Sequence, residues 1–181
     1  MIDGEEKLIE QAIQGEATAF GLLYDRYQPQ IYRFIYLKVS HREEAEDLTH
    51  QVFLHAWKSI ETYSFHGFPF SSWLYRIARN QVIDHYRTRK SHLDIEDVAE
   101  IKFVEFSTTY LDKNLDMERV REAITKLPHD HQDIVILRFV EDMSPQEIAT
   151  ITGKTPIAVR LLQHRAIKNL KKILHASKTN E

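Results

Sequence analysis

Residues 144–170 read SPQEIATITGKTPIAVRLLQHRAIKNL, and the punctuation of this stretch decides how the end of the chain folds. Ser144 and Glu147 stand at capping-box spacing, with Pro145 in the first helical position, where its missing N–H costs nothing. Ile148, Ala149 and Ile151 then give a short apolar face. Gly153 falls where a helix C-terminus needs a left-handed residue, and Thr155-Pro156 opens a second helix with another cap and another proline. Val159, Leu162, Ala166, Leu170 and Ile173 form the inner stripe of that helix, and small Ala149 leaves room where the two helices cross. Two capped helices joined through a glycine turn predict a helix-turn-helix.

The outer face of the second helix carries Arg160, Leu161, His164, Arg165 and Lys168, with Thr155 at its start and a lysine-rich tail behind. Arginine and histidine facing outward, backed by lysines, suit insertion into a DNA major groove with phosphate anchoring behind it. An ordinary antiparallel helix pair is the plainer alternative; it shares caps and turn but gives no reason for the basic face.

Upstream, Val120, Ala123, Ile124 and Leu127 keep the helical period until Leu127-Pro128, and a further helix is expected from about Asp130 to Glu141. In the first half, Phe20, Leu23, Tyr24, Tyr27, Ile31, Phe34 and Ile35 recur at three- and four-residue spacing, with a kink or short break expected at Pro29. Ala45, Leu48, Val52 and Ala56 mark a second strong helix, opened by the acidic turn Glu43–Glu46. After a loop around Tyr63–Pro69, a third runs from Ser71 or Ser72 to about Arg89. Five glycines and five prolines are too few for the frequent turns of a sandwich or barrel. The fold class is therefore all-α, with a helical domain over 1–90, an acidic linker over 91–115 and a smaller helix-turn-helix domain over 116–181.

Charge is strongly sorted along the chain although the formal net charge is only −3. Residues 73–90 carry five cations against one carboxylate, 91–118 carry eight carboxylates against two cations, and 160–181 carry six cations against one carboxylate. Two basic patches flanking an acidic strip point to two polyanion contacts. Near the first patch, Tyr63, Phe65, Phe68, Phe70, Trp73 and Tyr75 crowd together, followed by a polar stripe of Arg76, Asn80, Asp84 and Arg87. Aromatic faces beside a basic groove are what unpaired bases stack on, although the same aromatics also make good core residues.

Cysteine is absent, which excludes disulfides, thiolate metal sites and a cysteine nucleophile. The acidic start MIDGEEKLIEQ lacks a secretory pattern, and apolar runs such as Ile134–Leu137 are far short of a membrane span, so a cytoplasmic protein without membrane insertion of its own is expected. No phosphate loop, nucleophile elbow or paired-carboxylate pattern occurs, so no catalytic residue, cofactor or metal is expected. His129 and His131 read as surface residues, not ligands.

Taken together, these residues resemble the extracytoplasmic-function branch of the bacterial RNA polymerase sigma factors. EEAEDLTHQVFLHAW (43–57) looks like the family's core-polymerase-binding helix, and FSSWLYRIARNQVIDHYRTRK (70–90) looks like its helix for opening and reading the "minus ten" element. The stretch from Leu127 to Leu174 looks like its "minus thirty-five" binding domain. The resemblance implies that Asp47, His50, Gln51 and Leu54 contact the clamp helices of the polymerase β′ subunit. It also implies that Trp73, Arg76, Asn80 and Asp84, with Phe65, Phe68 and Phe70, capture flipped bases of promoter DNA. Thr155, Arg160, Leu161, His164, Arg165 and Lys168 would then meet the upstream element. It further implies an anti-sigma factor as inhibitory partner, for which the apolar linker residues Phe103, Val104, Phe106, Tyr110 and Leu111 offer one surface, unless they pack on the chain's own helices. The sequence departs from the family at His50-Gln51, where Gln-Glu is usual, and at Arg160-Leu161-Leu162, where Lys-Ser-Arg is common. The rival is a stand-alone helix-turn-helix regulator, which predicts a dimer on a palindromic site and leaves the N-terminal motifs unexplained.

Overall fold

The computed structural model describes residues 4–65, 67–93 and 113–179; the apolar linker residues 103, 104, 106, 110 and 111 and most of the expected linker lie outside them. Among the described residues there are eight α-helices and no strand. The first, α1 (Glu5–Ile13), has no counterpart in the expectations above. It buries Ile9 and Ala12 against α2 (Ala17–Val39), and the Tyr27 hydroxyl donates to the Glu5 carboxylate beneath it.

The expected break at Pro29 does not occur: α2 runs through it. Pro29 and Asp25, whose carbonyl loses its helical donor, are both on the exposed side, so water can take that donor's place. α2 ends at Ser40 in a left-handed conformation, and α3 (Arg42–Ser59) starts at once, capped by the His41 ring accepting from the Glu44 N–H. A single 3-10 turn, Ile60–Thr62, leads into the loop before α4 (Phe70–Leu93), which extends past both expected ends. Ala45, Leu48, Val52 and Ala56 face inward from α3, meeting Leu23, Ile31, Phe34 and Ile35 of α2 and Leu74, Ala78 and Val82 of α4 in one core.

In the second half, α5 (Lys113–Thr125) stops before Leu127-Pro128 as expected. Buried Gln132 donates its amide to the Ile124 and Thr125 carbonyls at 3.1 and 3.2 Å, satisfying the orphan end of α5. The helix expected over 130–141 is α6 (His129–Val135) continued by one wide π turn, Ile136–Val140. Then α7 (Pro145–Thr152) and α8 (Pro156–Thr179) complete the chain's described part.

The two halves are not separate globules. Their apolar residues form one continuous core, and the seam between them holds a fully buried ion pair, Lys38 to Asp133, ninety-five positions apart in sequence. Arg79 donates to Asp133 at 2.7 Å and to Asp130 at 3.3 Å, and Lys154 joins Asp130 at 3.0 Å. Arg33 clamps Glu141 with two parallel bonds of 2.8 and 2.7 Å. These bonds are charge-assisted, and all but Lys154–Asp130, which lies within the second half, span the junction.

Candidate polymerase and nucleic-acid interfaces

The helix-turn-helix is built as its punctuation implies. Ser144 and Glu147 exchange both capping-box bonds, with the Glu147 N–H donating to the Ser144 hydroxyl at 3.2 Å and the Ser144 N–H to the Glu147 carboxylate at 2.8 Å. Gly153 takes φ 68°, and the Lys154 N–H reaches back to the Ala149 carbonyl at 3.1 Å. Thr155 caps α8 by accepting from the Ala158 N–H at 3.2 Å. Val159 and Ala166 are fully buried, with Leu162, Leu170 and Ile173 packed beside them. The opposite face is open: Thr155, Arg160, His164, Arg165 and Lys168 are exposed, and Leu161 presents 58% of its surface to solvent.

A second open stripe lies on α3. Asp47, His50, Gln51 and Leu54, at helical spacing, are all exposed, while Leu48, Val52 and Phe53 between them are buried. Leu54 is 54% exposed, an apolar side chain amid polar ones. Between α3 and α4 runs a cleft of about 330 Å³ that brings Asp47 and Gln51 close to Asp84, with His85 and Glu44 joined at 3.2 Å on its wall.

The aromatic segment divides in two. Phe70 is only 2% exposed and packs against Tyr27, Tyr63 and Trp73, so it braces the cluster from below and offers no free face. Phe65 is 55% exposed, with Phe68 and Trp73 half-buried. Phe65, Tyr63, Pro69 and Phe70 line a cleft of about 290 Å³ whose other wall is α1, including Glu6 and Glu10. Along α4, Arg76, Asn80, Asp84 and Arg87 are exposed in one row, Asp84 and Arg87 forming an ion pair of 3.1 Å. Arg76 is not free: it donates to the Thr150 carbonyl of α7 at 2.7 Å.

The titratable groups of the seam are perturbed by burial and by each other. Burial pushes the Lys38 ammonium down, against the pull of Asp133. Burial also pushes the Asp130 carboxyl up, but the hydrogen bond and charge of Lys154, with Arg79, outweigh it and hold the group below its ordinary value. Tyr75, whose hydroxyl donates to Glu141 at 2.8 Å, is raised well above the usual tyrosine range by burial, the Glu141 charge adding to it. His129 lies with its ring 4.7 Å from that of Tyr86, and His131 meets the Asn169 amide at 3.2 Å.

Comparison with known proteins adds the family. The model of Sigma-70 region 2 matches residues 23–92, and that of Sigma-70 region 4 matches residues 117–170, together more than half of the chain and in that order. The ECF RNA polymerase sigma factor BldN of Streptomyces coelicolor is 36% identical over 171 residues, which cover 93% of this chain and 65% of BldN. The ECF RNA polymerase sigma factor SigW of Bacillus subtilis is 29% identical over 180 residues, 93% of this chain and 96% of SigW. The chain is an extracytoplasmic-function sigma factor.

Region 2 thus runs from within α2 to α4, with all of α1 outside the match, and region 4 runs from within α5 into α8. The fold of this sigma factor also resembles that of CnrH solved in complex with the cytosolic domain of CnrY, at TM-score 0.74 and 25% identity, covering 96% of this chain and 99% of CnrH. No helix among the described residues is long and apolar enough to cross a membrane. Two features of the sites escaped the sequence: the wall that α1 adds to the aromatic cleft, and the engagement of Arg76 by α7. The first had a signal in the helical spacing of Ile9, Ala12 and Ile13; the second, a bond to a backbone carbonyl 74 positions away, had none.

Proposed function

We propose that this sigma factor initiates transcription in the cytoplasm by binding core RNA polymerase and directing it to promoters, and that it does so by binding, without catalysis of its own. The open stripe of α3 carries this reading: Asp47, His50, Gln51 and Leu54 form an outward surface that the domain's own packing does not use. In this scheme residues 1–90 hold the polymerase β′ clamp and the minus-ten element, 91–115 connect, and 116–181 hold the minus-thirty-five element. Phe65, Phe68 and Trp73 take unpaired bases, with Phe70 bracing them, while Arg76, Asn80 and Asp84 line the strand's path. Thr155, Arg160, Leu161, His164, Arg165 and Lys168 enter the upstream major groove, Leu161 having only apolar contacts such as a thymine methyl to offer.

An anti-sigma factor controls it by covering these faces. The likeness to CnrH, a fold captured with the cytosolic domain of a second protein, supports that part. The test is run-off transcription by core polymerase on genomic fragments, with and without the protein. Discrete new transcripts that vanish in Asp47→Ala and Leu54→Ala variants establish a sigma factor acting through α3. No transcripts and no co-elution with core enzyme leave the stand-alone regulator, which binds a palindrome as a dimer.

A further inference from the structure

One exposed side chain of α8 has no part in the grip on DNA proposed for that helix. Ile157 is 69% exposed, the largest value among the exposed bulky apolar side chains of the described residues. Leu161, one turn further on, is 58% exposed. At about 100° per residue, Ile157, Leu161, His164 and Lys168 fall within an arc of about 60°, opposite buried Val159 and Ala166. Arg160 stands about 40° to one side of that arc and Arg165 about 40° to the other. The central line of the open face therefore begins with two aliphatic side chains and has an arginine on each flank.

The surroundings of the pair select its partner. No carboxylate occurs anywhere along Pro156–Thr179, so this surface attracts a polyanion. The pair sits in the first two turns of α8, and a recognition helix in the major groove turns its N-terminal residues to the base edges. Neither side chain can donate or accept a hydrogen bond. Set against guanine, adenine or cytosine, they would cover polar edge groups and leave them without a partner. The thymine 5-methyl is the apolar group that the major groove presents. Ile157 and Leu161 are about 6 Å apart along the helix axis, less than two base-pair steps of about 3.4 Å each.

We propose that Ile157 and Leu161 are specificity-determining residues of the upstream contact: together they read the 5-methyl groups of two thymines lying within three consecutive base pairs. Arg160 and Arg165 grip the groove on either side of them. The upstream element is then chosen by apolar groups as well as by hydrogen bonds, and a duplex with the same pairing but no methyls is the weaker ligand. The proposal rests on the reading of α8 as the helix that enters the major groove.

The test selects duplexes from a randomised library on the holoenzyme. The enriched upstream element is resynthesised with deoxyuridine for thymidine, one position at a time, which removes a methyl and leaves base pairing intact. Fluorescence anisotropy is expected to find two positions, within three base pairs, where uracil weakens binding about fourfold, which is about 0.8 kcal/mol, the value of one buried CH2. Ile157→Ala is expected to bind the thymine duplex about fourfold more weakly and to abolish the uracil penalty at one of these positions, and Leu161→Ala to do the same at the other. Both side chains are exposed, so the melting temperatures of the variants are expected to match that of the unaltered chain. An enriched element with no uracil-sensitive position overturns the methyl reading while leaving α8 in the groove. A uracil penalty that persists in both variants assigns the methyls to other side chains and overturns the role of this pair. Variants that lose transcription without any loss of DNA binding give the pair to a protein surface, which also overturns it. An enriched duplex that Arg160→Ala, Arg165→Ala and Lys168→Ala all bind as tightly as the unaltered chain overturns the reading of α8 beneath the proposal.

Discussion

At the scale of single residues, the seam is where charge is most deeply buried. Asp133 has no exposed surface and accepts from both Lys38 and Arg79. Removing one member of a buried pair leaves the other charge stranded, at a cost of about 3–5 kcal/mol, whereas replacing both with apolar residues of similar volume is often near neutral. Asp133→Ala is therefore expected to lose that amount in urea unfolding, and Lys38→Met with Asp133→Leu to lose less than the single change. The buried tyrosines set a pH dependence. Burial and nearby carboxylates raise the Tyr27 and Tyr75 hydroxyls, so the folded chain keeps protons that unfolded tyrosines begin to lose near pH 10. Their contribution falls as pH rises through that range. Lys38, pushed down, acts oppositely, adding stability with pH only up to its ordinary value of 10.5. Above about pH 10.5 only the loss remains, so the urea midpoint is expected to drop there, and to drop less steeply in Tyr75→Phe.

At the scale of elements, local chemistry decided most of what was legible beforehand. The α7–α8 pair could be read because each of its ends is written in one or two residues whose function is local: a capping box, a left-handed glycine, a second cap. Gly153→Ala tests this, since open space surrounds the position and only the φ of 68° opposes a side chain. The expected cost is about 1–2 kcal/mol, seen as a lower melting temperature. Ser144→Ala is expected to cost about 1 kcal/mol by freeing the Glu147 N–H, with the two losses adding less than fully because both act on one short helix. Where reading failed, the deciding interaction was not local. Pro29 did not break α2 because the packing of Leu23, Tyr27, Ile31 and Phe34 holds the helix on both sides of it. The π turn after α6 has no signal in Ile136–Val140, whose residues a regular helix would suit equally well. The aromatics were correctly seen as a cluster, but sequence spacing did not separate Phe65, which faces solvent, from Phe70, which braces the core.

At the scale of the whole molecule, the order of the two regions was legible because each carries its own motifs, but their mutual packing was not. Lys38 and Asp133, or Arg33 and Glu141, meet across about a hundred positions, and no period or cap connects them. In the proposed scheme each half binds DNA weakly alone, and polymerase, by fixing the separation, makes the second contact effectively intramolecular and raises apparent affinity without new contacts. Because phosphate neutralisation releases counterions, the holoenzyme's affinity for a promoter is expected to fall linearly with the logarithm of salt concentration. Lys168 stands on the open face of α8, behind the recognition residues, as a point charge suited to a phosphate. Lys168→Ala is expected to weaken binding about equally across promoter sequences and to reduce the salt slope by about one. Arg160→Ala, nearer the start of α8, is expected to cost about 1–3 kcal/mol on a matched upstream element and little on a scrambled one. Fluorescence anisotropy of holoenzyme on both duplexes over a salt series separates the two. Equal losses on matched and scrambled DNA for Arg160→Ala would reassign this arginine to the backbone and leave sequence recognition to His164, Arg165 and Leu161.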